Sequence, residues 1–402
     1  MKVLHVIPSV SPLRGGPSTA VIDMVSSLRD LGIDASIATT NDHGSDVMDV
    51  DLNQATNFQG VPCRFFPRWS PPVRAVREFA YSGSFRRWLK ANIESFDVIH
   101  IHAIFSACSS YAMWLARQRN VPYLVRTIGQ LEPWSLEQSR LRKSIFLTLF
   151  EHENLRHAER LHCTSELEAS HIKQFDATLR TVVVPLGVEL PEQLDSNSLL
   201  QRRTVAKSEL RNRFKLDEDT KLLLFLARIH PKKGLEHILK ALANHASLSD
   251  CHLLIAGSGE PEYLRKIEND IDALKIKPRC HFAGFLQDQE KSTALLGSDL
   301  YVLPSSSENF GISVLEALGH GTPVIISKEV ALAASIDNTS LGRVIKVDEA
   351  EAALAPALVN MLEEAAQSPE SLHASAHAFV AQNFAWPELT AQLIRIYQSI
   401  RA

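Results

Sequence analysis

The sequence predicts an α/β protein built from two doubly wound, Rossmann-like domains facing an interdomain cleft, and three observations predict it. The chain has 402 residues, enough for two domains with separate cores. Short apolar runs alternate with amphipathic helical stretches, as in parallel sheets covered by helices. The alternation breaks once, from Leu186 to Ser198, in a polar stretch carrying Pro191. The domains are therefore placed at 1–190 and 200–385.

In the first half, Lys2 to Pro8 reads as a buried strand, followed by a loop to Pro17 and a helix from Thr19 to Leu31. Gly15-Gly16 sits at this turn, where a double glycine lets backbone N–H groups face a phosphate at a helix N-terminus or simply makes the turn. Asp34 to Thr39 is a strand and Asn41 to Gln59 a polar loop, so Asp49 and Asp51 are read as solvated acids and not as a metal-binding pair. The segment from Arg64 to Lys90 carries six Arg and one Lys against one Glu, interleaved with Phe65, Phe66, Trp69, Phe79, Tyr81, Phe85 and Trp88. Such a mixture suits either an anionic membrane surface or a solvated helix with its aromatic side in the core. Phe96 to His102 is a strand that puts His100 and His102 on one face, with no third metal ligand evident at ligand spacing. Tyr123 to Ile128, Arg160 to Ser165 and Thr181 to Pro185 are strands; Leu141 to Ala158 and Glu166 to Phe175 are helices.

The second half opens with a charged helix, Thr204 to Phe214, and a strand, Lys221 to Ala227, that runs into Arg228 to Gly234. Arg228 and Lys233 flank a tight turn and can converge on a diphosphate, Arg as a fork and Lys as a point charge. Gly257-Ser258-Gly259 makes a sharp strand-to-helix turn, but Glu262 stands where a dinucleotide fingerprint has its third glycine. After the strand Asp299 to Leu303 come a loop, a helix from Ser313 to Leu318 and a strand from Val324 to Ile326. The helix N-terminus near Asn309 to Ile312 is an anion site, and Gly311 permits close backbone approach. Glu308 in the loop and Glu316 on the helix can each accept from two adjacent hydroxyls, so the pair can grip two vicinal diols with a diphosphate between them. A nucleotide sugar has that form.

Two motifs, E-N-F-G-x-x-x-x-E with A-x-G-x-G-x-P-V and, upstream, R-x-x-x-x-K-G, resemble the signature of the retaining glycosyltransferases of family 4, which have the GT-B fold. The resemblance implies that Glu308 meets the hydroxyls of the donor sugar, Glu316 the ribose, and Asn309, Phe310 and Gly311 the sugar and phosphate through main-chain N–H groups. It implies that Gly16 lies near the diphosphate, that Gly284 and Phe285 seat the nucleobase, and that His102 contacts the transferred sugar. The loop Gly129-Gln130-Leu131-Glu132-Pro133-Trp134 resembles that of family members in bacterial surface-polysaccharide pathways, which makes Gly129, Glu132 and Trp134 acceptor-binding candidates. A last helix, 386–402, is expected to cross back and complete the first domain. Arg228, Lys233, Glu308 and His102 are the catalytic candidates, with no metal and no resident cofactor. The expected reaction moves a hexose-type sugar from a nucleotide-diphosphate sugar to a hydroxyl of a glycan or lipid-linked acceptor. The alternatives are a nucleotide-sugar 2-epimerase, a glycosyl phosphorylase or a non-catalytic nucleotide-sugar binder.

Bulk properties narrow the setting. The net charge of −4 does not suit a nucleic-acid binder. Five cysteines (Cys63, Cys108, Cys163, Cys251 and Cys280), odd in number and without a C-x-x-C pair, read as buried small side chains in a reducing compartment. Pro8 cuts the first apolar run short, so Met1 to Pro8 reads as a strand and not a signal peptide. The longest apolar run, Leu222 to Ala227, is far below the ~20 residues that span a bilayer. The expectation is a cytoplasmic protein, either soluble or peripheral on the inner face of the cell membrane.

Overall fold

A computed structural model describes residues 1–138, 140–190, 196–337 and 339–401. The chain divides into two compact units, Met1–Val188 with Trp386–Ala402, and Glu189–Ala385. The strands of the first unit are β1 (Lys2–Ser9), β2 (Asp34–Thr40), β3 (Asp42–His43), β4 (Asp46–Val47), β5 (Ala55–Phe58), β6 (Val61–Phe66), β7 (Val98–His102), β8 (Tyr123–Arg126), β9 (Arg160–Cys163) and β10 (Thr181–Val183). Eight of them form one sheet in the order β10-β9-β8-β7-β1-β2-β6-β5, parallel except for the edge strand β5, while β3 and β4 pair as a small antiparallel ribbon. The second unit holds β11 (Lys221–Leu226), β12 (Cys251–Ala256), β13 (Cys280–Gly284), β14 (Leu300–Leu303), β15 (Val324–Ser327) and β16 (Gly342–Ile345), all parallel, in the order β13-β12-β11-β14-β15-β16.

Chain order reverses between β1 and β7 in the first sheet and between β11 and β14 in the second. At such a reversal the two crossover helices leave on opposite faces, opening a crevice beyond the carboxyl ends of the strands. The central strands are buried on both faces, as in the wholly buried runs Val98–His102 and Leu300–Leu303.

Several expectations need correction. The stretch 41–59 is not all loop, because it contains the β3–β4 ribbon and the edge strand β5. The helix 141–158 is interrupted by a π turn, Leu147–Glu151. The helix expected from Thr204 begins at Ser196, so the linker is shorter, and its middle, 191–195, lies outside the described residues. The basic segment is not one interfacial helix. Phe65, Phe66 and Phe85 belong to the core, and Arg68 is buried on Asp42, Gly44 and Asp46. Four cysteines are buried and Cys280 is half-buried, and burial pushes their thiols up, Cys63 to about 12.

One layer of the first sheet is unusual for a core. His5, His100, His102, His162 and Arg126 are all essentially inaccessible. Burial, reinforced by the Arg126 charge, lowers every one of the four imidazoles, His5 and His162 to about 3. The helix Trp386–Ile400 closes the layer through Tyr397, whose hydroxyl donates to Nδ1 of His100 at 2.7 Å. Because these folded-state values lie below the unfolded value of 6.5, the unfolded chain binds more protons, and stability falls as pH drops below about 6.5. At pH 5 the loss is roughly 2 kcal/mol for each of His5 and His162. This window lies above the usual carboxylate range, so urea unfolding at pH 6.5 and pH 5 should show a clear fall in the stability of the first unit. Equal midpoints at the two pH values would mean that the rings are not held neutral.

Candidate functional site

Four loops of the second unit leave the carboxyl ends of neighbouring strands. After β11 the chain turns through Arg228 to Gly234 into the helix Leu235–Asn244; after β14 it runs through Pro304 to Gly311 into the helix Ile312–Gly319. These two loops flank the reversal of the sheet. Gly257 and Gly259 follow β12, and Gly284 and Phe285 stand at the end of β13.

Close backbone contacts clip the loops together. The amide of Ser306 donates to the Lys232 carbonyl at 2.8 Å, and the amide of Ile229 to the Ser258 carbonyl at 2.8 Å. Gly257 donates to the Gly284 carbonyl at 2.7 Å. Gly234 sits at φ +72° with no room for a side chain, since a Cβ would overlap the Pro304 carbonyl oxygen. Tyr301, wholly buried on β14, points its hydroxyl at Leu226 O (3.2 Å) and Ser313 Oγ (2.7 Å), joining the two strand ends to the helix.

On this frame Lys233 and Glu308 meet in a direct ion pair, their side chains 11% and 18% exposed. Both ends of the Glu308 backbone are pinned, its amide on Glu329 O (3.1 Å) and its carbonyl by the Ala331 amide (3.2 Å). Gly311, at φ +90°, caps the helix Ile312–Gly319 without a side-chain acceptor for the first N–H groups. Arg228 is exposed and makes no ion pair among the described residues. Glu316 has a cation of its own: its Oε1 accepts from Lys291 Nζ at 2.8 Å. Asn309 is half-buried and Phe310 buried, while Gly284 (φ +72°) and Phe285 are exposed.

Two participants escaped the sequence reading. Lys291 lies on the helix Asp288–Gly297, 25 residues before its partner, and nothing local marks it. His230 caps the basic turn by accepting from the Lys232 amide at 3.3 Å, and burial together with Arg228, Lys232 and Lys233 depresses its basicity. Burial is the larger cause of that depression, and the three cations add to it; an anion at the turn would relieve only their share.

In the first unit, His102 ends β7, and Gly129 and Glu132 follow the adjoining β8. Gly129 N–H donates to Glu168 Oε1 at 3.0 Å, so this glycine is fixed by a buried carboxylate that also accepts from Thr127 and Thr164. Glu132 stands at the N-cap position of the short helix Pro133–Glu137 without a side-chain capping bond, and Trp134 is half-buried. Gly15, at φ +76°, caps the helix Gly16–Asp30, which therefore starts at the glycine pair and not at Thr19. Arg14 beside that pair is held bidentately by Asp42 at 2.7 and 2.8 Å. His102 is fully buried, and the third imidazole missing from the sequence reading comes from β1: ligand atoms of His5, His100 and His102 lie within 4.8 Å of one another.

Two family models match the chain, "Glycosyl transferase 4-like domain" over residues 15–187 and "Glycosyl transferases group 1" over residues 206–378. The alpha-monoglucosyldiacylglycerol synthase of Streptococcus pneumoniae is 25% identical over 317 residues, covering 78% of this chain and 68% of that protein. The phosphatidyl-myo-inositol mannosyltransferase of Mycolicibacterium smegmatis is 26% identical over 415 residues, covering 100% of this chain and 94% of that protein. Among solved structures, Anabaena Alr3699/HepE in complex with UDP and glucose matches with TM-score 0.73 at 19% identity, covering 99% of this chain and 100% of that one. Sucrose-phosphate synthase from Thermosynechococcus elongatus matches with TM-score 0.76 at 19% identity, covering 99% of both chains.

The frame around Lys233 is directly testable. Gly234→Ala should cost about 1–3 kcal/mol, because an L side chain is strained at this φ and pushes Pro304 away. It should also loosen the Lys233–Glu308 pair. Chemical denaturation should show the loss, and a variant as stable as the parent would mean that the turn relaxes freely.

Proposed function

Because the chain belongs to the group 1 glycosyltransferases of family 4, built on the GT-B fold, we propose that it takes its sugar from a nucleotide-diphosphate donor held by the second unit. The observation that carries this reading is the meeting of Lys233 and Glu308 at the reversal of the second sheet, beside the open N-terminus of the helix Ile312–Gly319. In this reading Lys233, Arg228 and the main-chain N–H groups of Asn309 to Gly311 neutralise the diphosphate. Glu308 accepts from the sugar hydroxyls and Glu316 from the ribose. Gly284 and Phe285 flank the base, and Gly16 lies near the phosphates.

When the glycosidic bond to phosphate breaks, negative charge grows on the leaving diphosphate. Preorganised cations and N–H groups stabilise that charge without reorganising, so the reaction as proposed needs no metal. The acceptor hydroxyl attacks on the face the diphosphate leaves, which retains the anomeric configuration, and a departing phosphate oxygen takes its proton. His102 contacts the transferred sugar, and Gly129, Glu132 and Trp134 contribute to the acceptor site. Lys233→Ala and Glu316→Ala should each lower transfer at least ~100-fold, the scale of losing one preorganised donor, while EDTA leaves the parent active. Near-parental turnover in either variant would refute the assignment. Calorimetric titration with UDP, GDP and ADP identifies the base, and absence of binding to all three would remove the donor reading.

The acceptor we propose is a lipid-linked intermediate or glycan of bacterial surface polysaccharide synthesis, met at the cytoplasmic face of the membrane. Two relatives carry lipids in their names, diacylglycerol and phosphatidyl-myo-inositol. In the first unit Trp69, Val73, Val76 and Tyr81 are exposed apolar groups close in sequence to exposed Arg74, Arg87 and Lys90, a composition suited to anionic headgroups. No helix of the described residues is long and apolar enough to cross a membrane. Co-sedimentation with liposomes should therefore rise with anionic lipid content and fall with salt. Binding indifferent to lipid charge would remove the membrane from the proposal.

A further inference from the structure

At the reversal of the first sheet, β1 and β7 lie side by side with His5 opposite His100. Three imidazoles within ligand reach of one another suggest a metal site, but their hydrogen bonds argue otherwise. Nε2 of His162 is 2.8 Å from the Val184 carbonyl, which can only accept, so the proton of neutral His162 is on Nε2. Its Nδ1 must then accept from Nε2 of His100 at 3.2 Å, and Nδ1 of His100 accepts from Tyr397 at 2.7 Å. Both nitrogens of His100 are thereby committed. A divalent cation would have to displace one of these bonds and sit near the buried Arg126, whose Nε and Nη1 have no hydrogen-bond partner among the described residues.

The remaining pair is set apart from this chain. Nδ1 of His5 lies 2.9 Å from Nε2 of His102, both rings are fully buried, and they stack at 14°. The backbone beyond His102 is constrained: Ala103 and Phe105 have φ of +71° and +58°, Ala103 N–H donates to Arg126 O at 2.9 Å, and Ile104 N–H to Gln130 Oε1 at 2.5 Å. What freedom His102 retains is rotation of its ring, and His5 opposes it. Whichever of the two nitrogens carries the proton, Nδ1 of His102 is left buried and has no hydrogen-bond partner among the described residues.

We propose that His5 is a positioning residue for His102: its Nδ1 engages Nε2 of His102, sets the ring and its tautomer, and reserves Nδ1 of His102 for a hydroxyl of the transferred sugar. This rests on the assignment of His102 to the sugar made above. His5 touches no substrate itself. Its action is to save His102 the cost of reorienting as the sugar moves, so it should act on turnover more than on donor binding.

The experiment compares His5→Leu, which keeps bulk but no polar atom, with His5→Asn, whose amide can stand in for Nδ1, in a transfer assay with donor and acceptor. His5→Leu should lower kcat about 10- to 100-fold with donor KM and UDP affinity little changed, and His5→Asn should recover most of the loss. In a His102→Ala background His5→Leu should cost nothing more. Nitrogen-15 spectra of histidine-labelled protein should show one neutral tautomer at His102 in the parent and in His5→Asn, and exchange in His5→Leu. The proposal is overturned by an unchanged kcat in His5→Leu, by a loss that adds to His102→Ala, by parental turnover in His102→Ala, or by stoichiometric zinc in the active purified protein. Failure of the parent to bind any nucleoside diphosphate would instead count against the donor reading, and the tautomer spectra would still report on the His5–His102 bond.

Discussion

The second unit depends on one approach: the turn at Gly234 packs so closely on the Pro304 carbonyl that no side chain fits between. That contact brings together two loops that leave the carboxyl ends of the parallel neighbours β11 and β14, and it delivers Lys233 to Glu308 across 75 residues of sequence. A largely buried ion pair gives little net stability, because desolvation offsets much of the Coulomb attraction, yet losing one partner strands the other. Its physical meaning is readiness. The two charges neutralise each other, and in the proposed reading a phosphate for the lysine and hydroxyls for the glutamate replace that contact without leaving a buried charge unpaired.

Much of this frame was legible because it is local. Gly311 ahead of a helix and a strand entering Arg228 to Gly234 each rest on residue types that restrict the backbone within a few positions. What failed was set by distant packing. Helix propensity does not fix a start, so the helix placed at Thr204 begins at Ser196, where its small and apolar residues find a surface to cover. The π turn at Leu147–Glu151 left no sequence signal, although it carries Glu151, whose buried carboxyl is pushed up by burial and bonded to Ser110. Arg68 looked like one more cation of a basic face and proved to be the buried partner of Asp42, 26 residues away. A charge count cannot tell a solvated arginine from a structural one.

The histidine layer shows the same limit at the candidate site. The strand pattern placed His100 and His102 on one face, but His5 and His162 join them only through strand order, which single-strand periodicity does not encode. Lys291 is invisible for a similar reason. It reaches Glu316 because the helix Asp288–Gly297 packs beside the helix Ile312–Gly319, and only tertiary structure brings those two faces together.

The two units manage charge in opposite ways, and the contrast fits a division of labour. The second gathers formal charges at a partly accessible edge, where Lys233, Glu308, Glu316, Lys291 and Arg228 can exchange partners with an anionic ligand. The first surrounds the buried guanidinium of Arg126 with four imidazoles kept neutral, joined to one another and to Tyr397 by hydrogen bonds. A neutral ring can face a hydroxyl as donor or acceptor, whereas an imidazolium can only donate. Burial of the histidines thus preserves both roles, and it does so by desolvation, which salt does not screen.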